Sequence, residues 1–103
     1  MNIFDSIPEI APAELVTELL AAKNVRIERI VSFGQSSPEG FWYDQTENEW
    51  VMLLEGSATL KMGYGELINL NAGDFFNIPA GVRHRVEKTD EHRQTIWLAV
   101  FYS

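Results

Sequence analysis

Short runs of branched and aromatic residues, separated by turn residues, constrain the fold of this chain more than any other feature. We predict strands at residues 25–33, 41–43, 50–54, 57–62, 66–70, 75–78, 82–87 and 95–102. Glycine, proline and asparagine lie between many of these runs, and they are residues that favour tight turns. Many short strands joined in this way are typical of an antiparallel β-sandwich or barrel.

The segment before the first predicted strand has a different pattern. Pro12 suits the first turn of a helix, and the apolar residues that follow it fall on one helical stripe. We therefore predict an extended arm followed by a short helix over residues 12–22. This divides the chain into an N-terminal arm and helix, residues 1–24, and a β-barrel, residues 25–103, within one structural domain.

The composition argues against several classes of function. The 103 residues carry a formal net charge of −7, so we expect neither a nucleic acid nor a membrane surface as a partner. The absence of cysteine excludes disulfides, thiolate nucleophiles and cysteine-ligated zinc. No apolar run approaches the roughly 18 residues of a membrane span and no signal peptide is evident, so we expect a cytoplasmic protein.

The segment at residues 73–84 carries the most specific signal in the chain. It reads as a tight turn, a short strand, a second tight turn at residues 79–81 and a returning strand. Alternation along the returning strand places His84 on the inward face with Val82 and Val86. An inward histidine is either a core residue with a hydrogen-bond partner or a ligand, and the segment alone leaves both open.

The same segment resembles the second motif of the cupin family. Four residues match that motif at every spacing: Gly73, Pro79, Gly81 and His84. Lys88 stands where the motif has asparagine. The chain thus resembles small single-domain cupins of the conserved-barrel type over residues 41–102. This resemblance implies an all-β fold, a double-stranded antiparallel β-helix or jelly-roll barrel, with one site inside the barrel.

Part of the first cupin motif is also present. Glu49 and Gly56 match its last two elements at the right spacing. In cupins that glutamate, the histidine of the second motif and two histidines of the first motif together hold a divalent metal. Both first-motif histidines are missing here, and their places fall on one of two pairs: Tyr43 with Gln45, or Trp42 with Asp44.

The resemblance therefore implies a metal site that this chain fills only in part. The candidate ligands are His84, Glu49, Asp44 and Gln45, with Tyr43 as a further ligand if its phenol deprotonates. The implied metal is a divalent Zn, Fe, Mn or Ni ion, for which Asp44 is a suitable hard ligand. Such a site would serve a dioxygenase, isomerase or lyase, although a fold of this kind does not specify the reaction.

A metal-free site is the alternative. Glu49 shares a strand face with Val51 and Leu53, so it is a buried carboxylate if that face is the interior. A buried carboxylate needs a cation, a hydrogen-bond donor or a raised pKa. His84 can supply the donor, so a Glu49–His84 hydrogen-bonded pair would suit a module that binds small molecules, or a purely structural dimeric domain.

Two further sets of apolar residues are informative: one predicts a small-molecule pocket, and the other predicts a contact with another part of the protein or with a second subunit. Aromatic residues near the candidate site predict a pocket for a small-molecule ligand: Trp42, Tyr43, Phe76, Trp97 and Phe101. Trp50, Met52 and Leu54 lie on the opposite strand face from Glu49 and need cover. The N-terminal segment or a second subunit could supply that cover, and we predict a homodimer.

Overall fold

The computed structural model describes residues 1–103 and contains eight β-strands and no helix. The strands are β1 (Leu15–Ala22), β2 (Val25–Ser32), β3 (Asn48–Glu55), β4 (Ser57–Met62), β5 (Leu67–Asn71), β6 (Phe75–Ile78), β7 (His84–Thr89) and β8 (Thr95–Tyr102). The predicted all-β class is confirmed, and β2 to β8 each overlap a predicted strand. The strand predicted at residues 41–43 is reduced to an isolated bridge between Tyr43 and His84.

The strands form two antiparallel sheets that enclose one core. The larger sheet has the order β1-β2-β8-β3-β6, and the smaller sheet has the order β5-β4-β7. Core side chains come from the inward faces of both sheets: Val51, Leu53, Ala58, Leu60, Met62, Leu70, Ile78, Trp97, Ala99 and Phe101. This arrangement is the jelly-roll barrel that the cupin resemblance implies.

The helix predicted over residues 12–22 is wrong. Residues Leu15 to Ala22 form β1, which pairs antiparallel with β2, beginning with Leu15 opposite Val31. A helix this short is only marginally stable in water through its own hydrogen bonds. The edge of β2 offers partners to the same backbone groups, and the β-branched residues Val16 and Thr17 favour a strand. Pairing with a neighbouring strand therefore overrides the local helical pattern.

Gly56 turns the chain from the larger sheet into the smaller one, between β3 and β4. Its φ is +85°, a backbone conformation that favours glycine. A Cβ atom at this position would lie 2.4 Å from Thr95 Oγ1 and 2.7 Å from Thr95 Cα. Both the backbone conformation and the close approach of β8 therefore require glycine at this position.

The N-terminal arm lies against the outer face of the larger sheet. Arg29 Nη1 donates hydrogen bonds to the backbone oxygens of Ile3 and Asp5, at 3.0 and 2.7 Å. Val31 and Ile96 lie on the same outer face by alternation, and they are 0% and 2% exposed. The arm therefore covers the β2 side of this face.

Candidate functional site

A cavity of about 180 Å³ lies inside the barrel and is walled by residues of both sheets. Much of its wall is apolar and includes Val51, Leu60, Ile78, Trp97 and Phe101. Six polar or ionisable side chains also line the cavity: Glu14, Glu28, Tyr43, Gln45, Glu49 and His84. A concave apolar space with a few converging polar groups is the usual form of a small-molecule site.

His84 is the first residue of β7, and it is 3% exposed. Its backbone pairs with Tyr43, with Tyr43 N donating to His84 O at 2.7 Å and His84 N donating to Tyr43 O at 3.1 Å. The two rings are stacked, with their centroids 5.3 Å apart. The inward direction predicted for His84 is confirmed, and the bridge to Tyr43 fixes the position of the imidazole.

The tautomer of His84 follows from its backbone contact. Nδ1 lies 3.2 Å from the carbonyl oxygen of Val82, which can only accept a hydrogen bond. Nδ1 therefore carries a hydrogen, and in the neutral imidazole Nε2 is the acceptor. Nε2 lies 3.3 Å from Glu49 Oε1.

Glu49 lies on the inward face of β3 and is 9% exposed. Gln45 Nε2 donates a hydrogen bond to Glu49 Oε1 at 2.8 Å. The backbone of Gln45 is in turn held by Gly81, whose N–H donates to Gln45 O at 2.9 Å. The turn that closes the second motif thus positions the partner of the first-motif glutamate.

The second carboxylate oxygen of Glu49, Oε2, has no hydrogen-bond partner within the chain. The side-chain polar atoms that are both sealed from solvent and unpartnered are Arg29 Nε and Arg85 Nε. Glu49 Oε2 is therefore not sealed off, and because Glu49 lines the cavity this oxygen is available to a ligand there.

The character of the contact between His84 and Glu49 depends on whether a proton lies between them. If the imidazole were neutral and the carboxylate ionised, the Nε2 lone pair would face the negative Oε1. The contact is favourable when one proton is present, either as an imidazolium–carboxylate pair or as an imidazole–carboxylic acid pair. Its length of 3.3 Å is above the usual 2.7–3.2 Å of an N–H···O bond, and Glu49 Oε2 remains the free acceptor of the pair.

Tyr43 contributes a protonated phenol to the same wall. Burial raises the pKa of Tyr43, and the carboxylates of Glu14 and Glu49 raise this pKa further. The phenol therefore keeps its hydrogen at neutral pH and can donate it to a neighbour. A ligand role for Tyr43 toward a metal would need the deprotonated form, which these surroundings disfavour.

The structure brings together four of the five predicted metal-ligand candidates: Tyr43, Gln45, Glu49 and His84. Asp44 lies apart from them, because it is exposed and is not part of the cavity wall. Successive side chains of an extended segment point to opposite sides. The inward direction of residues 43 and 45 therefore sends residue 44 outward.

The five aromatic residues predicted for the pocket likewise fall into two groups, those that line the cavity and those that do not. Tyr43, Trp97 and Phe101 line the cavity. Trp42 lies outside the wall, with the Arg83 guanidinium 4.9 Å from its ring centroid. Phe76 packs against the core cluster and does not line the cavity.

Two carboxylates in the wall were not among the residues predicted for the site. Glu14 comes immediately before β1, and its carboxylate accepts a hydrogen bond from Ser32 Oγ on β2. Because this segment was predicted as a helix, Glu14 was not predicted to lie beside the barrel. Glu28 lies in β2 with the same parity as Ile30, which also lines the cavity, so strand alternation could have found it.

The residues present do not fit a resident metal ion of the kind that the cupin resemblance implies. Nowhere in residues 1–103 do three or more His, Cys, Asp or Glu side chains gather as metal ligands. Catalytic metal sites commonly use three protein ligands and keep one position open. The cavity offers one imidazole and one carboxylate in contact, and that carboxylate already accepts a hydrogen bond from Gln45.

The fold and the motif residues define the class of this protein. A family model of the cupin domain, Cupin_2, matches residues 30–101, which is well over half of the chain. The chain therefore belongs to the cupin family. No curated protein matches it significantly.

A solved structure from Ralstonia eutropha JMP134 is similar over the whole chain. That protein is provisionally described as a mannose-6-phosphate isomerase, and it is 43% identical with a TM-score of 0.96. The match covers 100% of this chain and 96% of the other. An identity at this level over the full length also supports membership of the same family.

More distant structures show the same fold. A cupin superfamily protein from Desulfitobacterium hafniense is 18% identical with a TM-score of 0.77, over 93% of this chain and 83% of the other. The EutQ protein of Clostridium difficile is 13% identical with a TM-score of 0.71, over 86% of this chain and 67% of the other. In the structure of this chain, no helix has the length and apolar character to cross a membrane.

Proposed function

We propose that this cupin binds a small organic molecule inside its barrel, with the Glu49–His84 pair as the polar group that recognises it. One observation carries the proposal. His84 Nε2 and Glu49 Oε1 make a contact of 3.3 Å in the wall of the cavity, and Glu49 Oε2 has no partner within the chain. These groups can form further hydrogen bonds in a largely apolar space. A hydrogen bond from a ligand contributes more to the binding free energy in such a space than it would in water.

The size of the cavity supports a compact ligand. A dry cavity of about 150 Å³ is large enough to bind benzene. The present cavity is slightly larger, at about 180 Å³. The ligand in this proposal is therefore a single small ring or a short chain.

We further propose that this binding needs no metal. Glu49 already accepts a hydrogen bond from Gln45 and has the His84 imidazole beside it, so the carboxylate has partners without a metal. The test is the metal content of protein purified without added metal, followed by melting curves with Mn, Fe, Ni or Zn. We expect well below one metal per chain and no metal-dependent rise in melting temperature. A stoichiometric metal that is lost in Glu49→Gln would restore the metal-dependent alternative.

Ligand binding is tested with a neutral ring compound as the probe. Benzyl alcohol is titrated into the labelled protein while backbone amide shifts are recorded by NMR. We expect saturable shifts at the cavity wall, on β3 and β7, and at least tenfold weaker binding to Glu49→Gln. Glu47→Gln is the matched control, because Glu47 pairs with Arg26 and does not line the cavity. Shifts confined to the outer surface would contradict the proposal.

Isomerisation by proton transfer is a second candidate function. A pair that holds one proton can donate it at one atom and accept it at another, which is general acid–base catalysis. The isomerase description of the Ralstonia eutropha protein favours this reaction class. Conversion of mannose 6-phosphate that disappears in Glu49→Gln would support it directly.

We also propose that a second copy of this chain covers the outer face of the larger sheet beside β3. Trp50 and Met52 are half-buried there, and they pair with Val100 and Leu98 of β8. Phe75 of β6 lies next to Trp50, with ring centroids 5.7 Å apart, and is 64% exposed. An apolar surface across three strands is typical of an interface.

A further inference from the structure

We infer that the ligand of the cavity is a compact organic cation, such as an amine with an apolar body, and not a sugar phosphate. The inference rests on the proposed function, that the cavity binds a small molecule. Three glutamates line the cavity, Glu14, Glu28 and Glu49, whereas no lysine or arginine does.

The charges of the three carboxylates are compensated to different degrees. Glu28 is paired with Arg26, at 2.9 Å between Arg26 Nε and Glu28 Oε2. Glu49 has the His84 imidazole 3.3 Å from its Oε1 and accepts a hydrogen bond from Gln45. Glu14 accepts a hydrogen bond from the Ser32 hydroxyl and forms no ion pair. The wall therefore carries negative charge that the chain itself does not neutralise.

Glu49 gives independent evidence that a ligand completes the site. Its side chain is 11% exposed, its Oε1 accepts a hydrogen bond from Gln45, and its Oε2 has no partner within the chain and is open to the cavity. A cationic N–H donor from a ligand would form a charge-assisted hydrogen bond with this oxygen, which is stronger than a bond from a neutral donor. An anionic ligand would instead be repelled by the carboxylate.

The rest of the wall fits the apolar body of such a cation. Trp97 and Phe101 are buried aromatic residues of β8 that line the cavity, together with Val51 and Leu60. The Phe101 ring already has the Arg26 guanidinium 4.2 Å from its centroid, so Trp97 is the aromatic residue left to attract an organic cation through its π face. A ring or short alkyl group carrying one ammonium group therefore matches both the charge and the lining.

A phosphate group lacks the partners it needs in this cavity. Proteins bind phosphate mainly with arginine, lysine or the backbone N–H groups at a helix N-terminus. The cavity has no arginine or lysine in its wall, and the chain has no helix. The name of the Ralstonia eutropha relative therefore does not carry over to the substrate of this chain.

The experiment compares four probes of known charge. Benzylamine, benzyl alcohol and benzoate share one ring and differ in charge, and mannose 6-phosphate represents the sugar phosphates. Their dissociation constants are measured by calorimetry at neutral pH. We expect benzylamine to bind at least tenfold more tightly than benzyl alcohol, with no measurable binding of benzoate or mannose 6-phosphate.

The variant Glu14→Gln separates this inference from the proposed function. We expect it to lower the ratio of benzylamine affinity to benzyl alcohol affinity about tenfold, with both probes titrated into the same variant. Glu18→Gln is the matched control, since it makes the same change of charge at an exposed residue outside the cavity wall, and it should keep the preference.

The other outcomes contradict either the cation inference alone or the inference together with the proposed function. Equal binding of benzylamine and benzyl alcohol, or tighter binding of benzoate or mannose 6-phosphate, overturns the cation inference and leaves the cavity as a binding site. An unchanged preference in Glu14→Gln also overturns it. No binding of any probe, with no amide shifts at the cavity wall, overturns the proposed function and the inference together.

Discussion

His84 Nε2 lies 3.3 Å from Glu49 Oε1, while the other imidazole nitrogen, Nδ1, lies 3.2 Å from the backbone carbonyl of Val82. The second contact makes Nδ1 a donor, so in the neutral imidazole it is the Nε2 lone pair that faces Glu49. Two residues far apart in the chain are thus in contact in the cavity wall.

Replacing His84 with alanine should destabilise the fold by about 2–3 kcal/mol, because it leaves the Glu49 carboxylate buried with less compensation. In the Glu49→Gln background the same replacement should cost about 1–2 kcal/mol less, since no charge then needs a partner. Urea unfolding of the two single variants and the double variant measures this coupling. Additive effects would show that the contact contributes little.

Gly56→Ala should destabilise the protein by about 3 kcal/mol or more, because positive φ and contact with the β8 backbone act together. Gly81→Ala is the control. Its φ is also positive, at +79°, but no atom lies within 4 Å of its added Cβ. Urea unfolding should show a distinctly smaller loss for Gly81→Ala, and equal losses would remove the steric part of the explanation.

Tyr43 should make the free energy of unfolding fall as the pH rises in the alkaline range. Its pKa is raised above the ordinary value of 10.0 by burial and by the carboxylates of Glu14 and Glu49. The folded protein therefore holds this proton more tightly than the unfolded chain does. The resulting stabilisation is complete below pH 10 and is lost as the pH rises through the folded pKa.

The variant Tyr43→Phe lacks this group, so its free energy of unfolding should fall less above pH 10 than that of the parent protein. Urea unfolding at neutral pH and above pH 10 gives the comparison. Because all other tyrosines are common to both proteins, the difference reports on Tyr43. Parallel losses in both proteins would contradict the prediction.

The proposed dimer should dissociate when charge is placed on the outer face of the larger sheet. Phe75→Asp adds a carboxylate beside Trp50, and light scattering at micromolar concentration should then show a monomer. Leu67→Asp makes a similar change at a residue of β5, in the smaller sheet, that is 54% exposed, and it should leave the dimer intact. A monomeric parent protein would refute the interface.

Much of the fold could be predicted because its signals are local. The strands from β2 to β8 follow from branched residues and turn residues that act within a few positions. The inward direction of His84 follows from alternation after the turn at residues 79–81, and the glycine at position 56 follows from the first motif. Two residues of the site, His84 and Glu49, could be named for these reasons.

The remaining parts of the site depend on which strands lie side by side. Residues 15–22 have a helical pattern, and only the edge of β2 makes them a strand that brings Glu14 to the cavity. The bridge between Tyr43 and His84 decides that residues 43 and 45 face inward and residue 44 does not.

The sequence by itself thus determined the family, the strands from β2 to β8 and the two residues at the centre of the site. Tertiary structure alone decided what surrounds these two residues. It gave Glu49 a hydrogen bond from Gln45, brought Glu14 and Glu28 to the cavity wall as a second and third carboxyl group, left no lysine or arginine in that wall, and turned Asp44 away. The physical reason is that strand alternation and turns depend on residues that are neighbours in the chain, whereas strand pairing joins residues far apart in the chain.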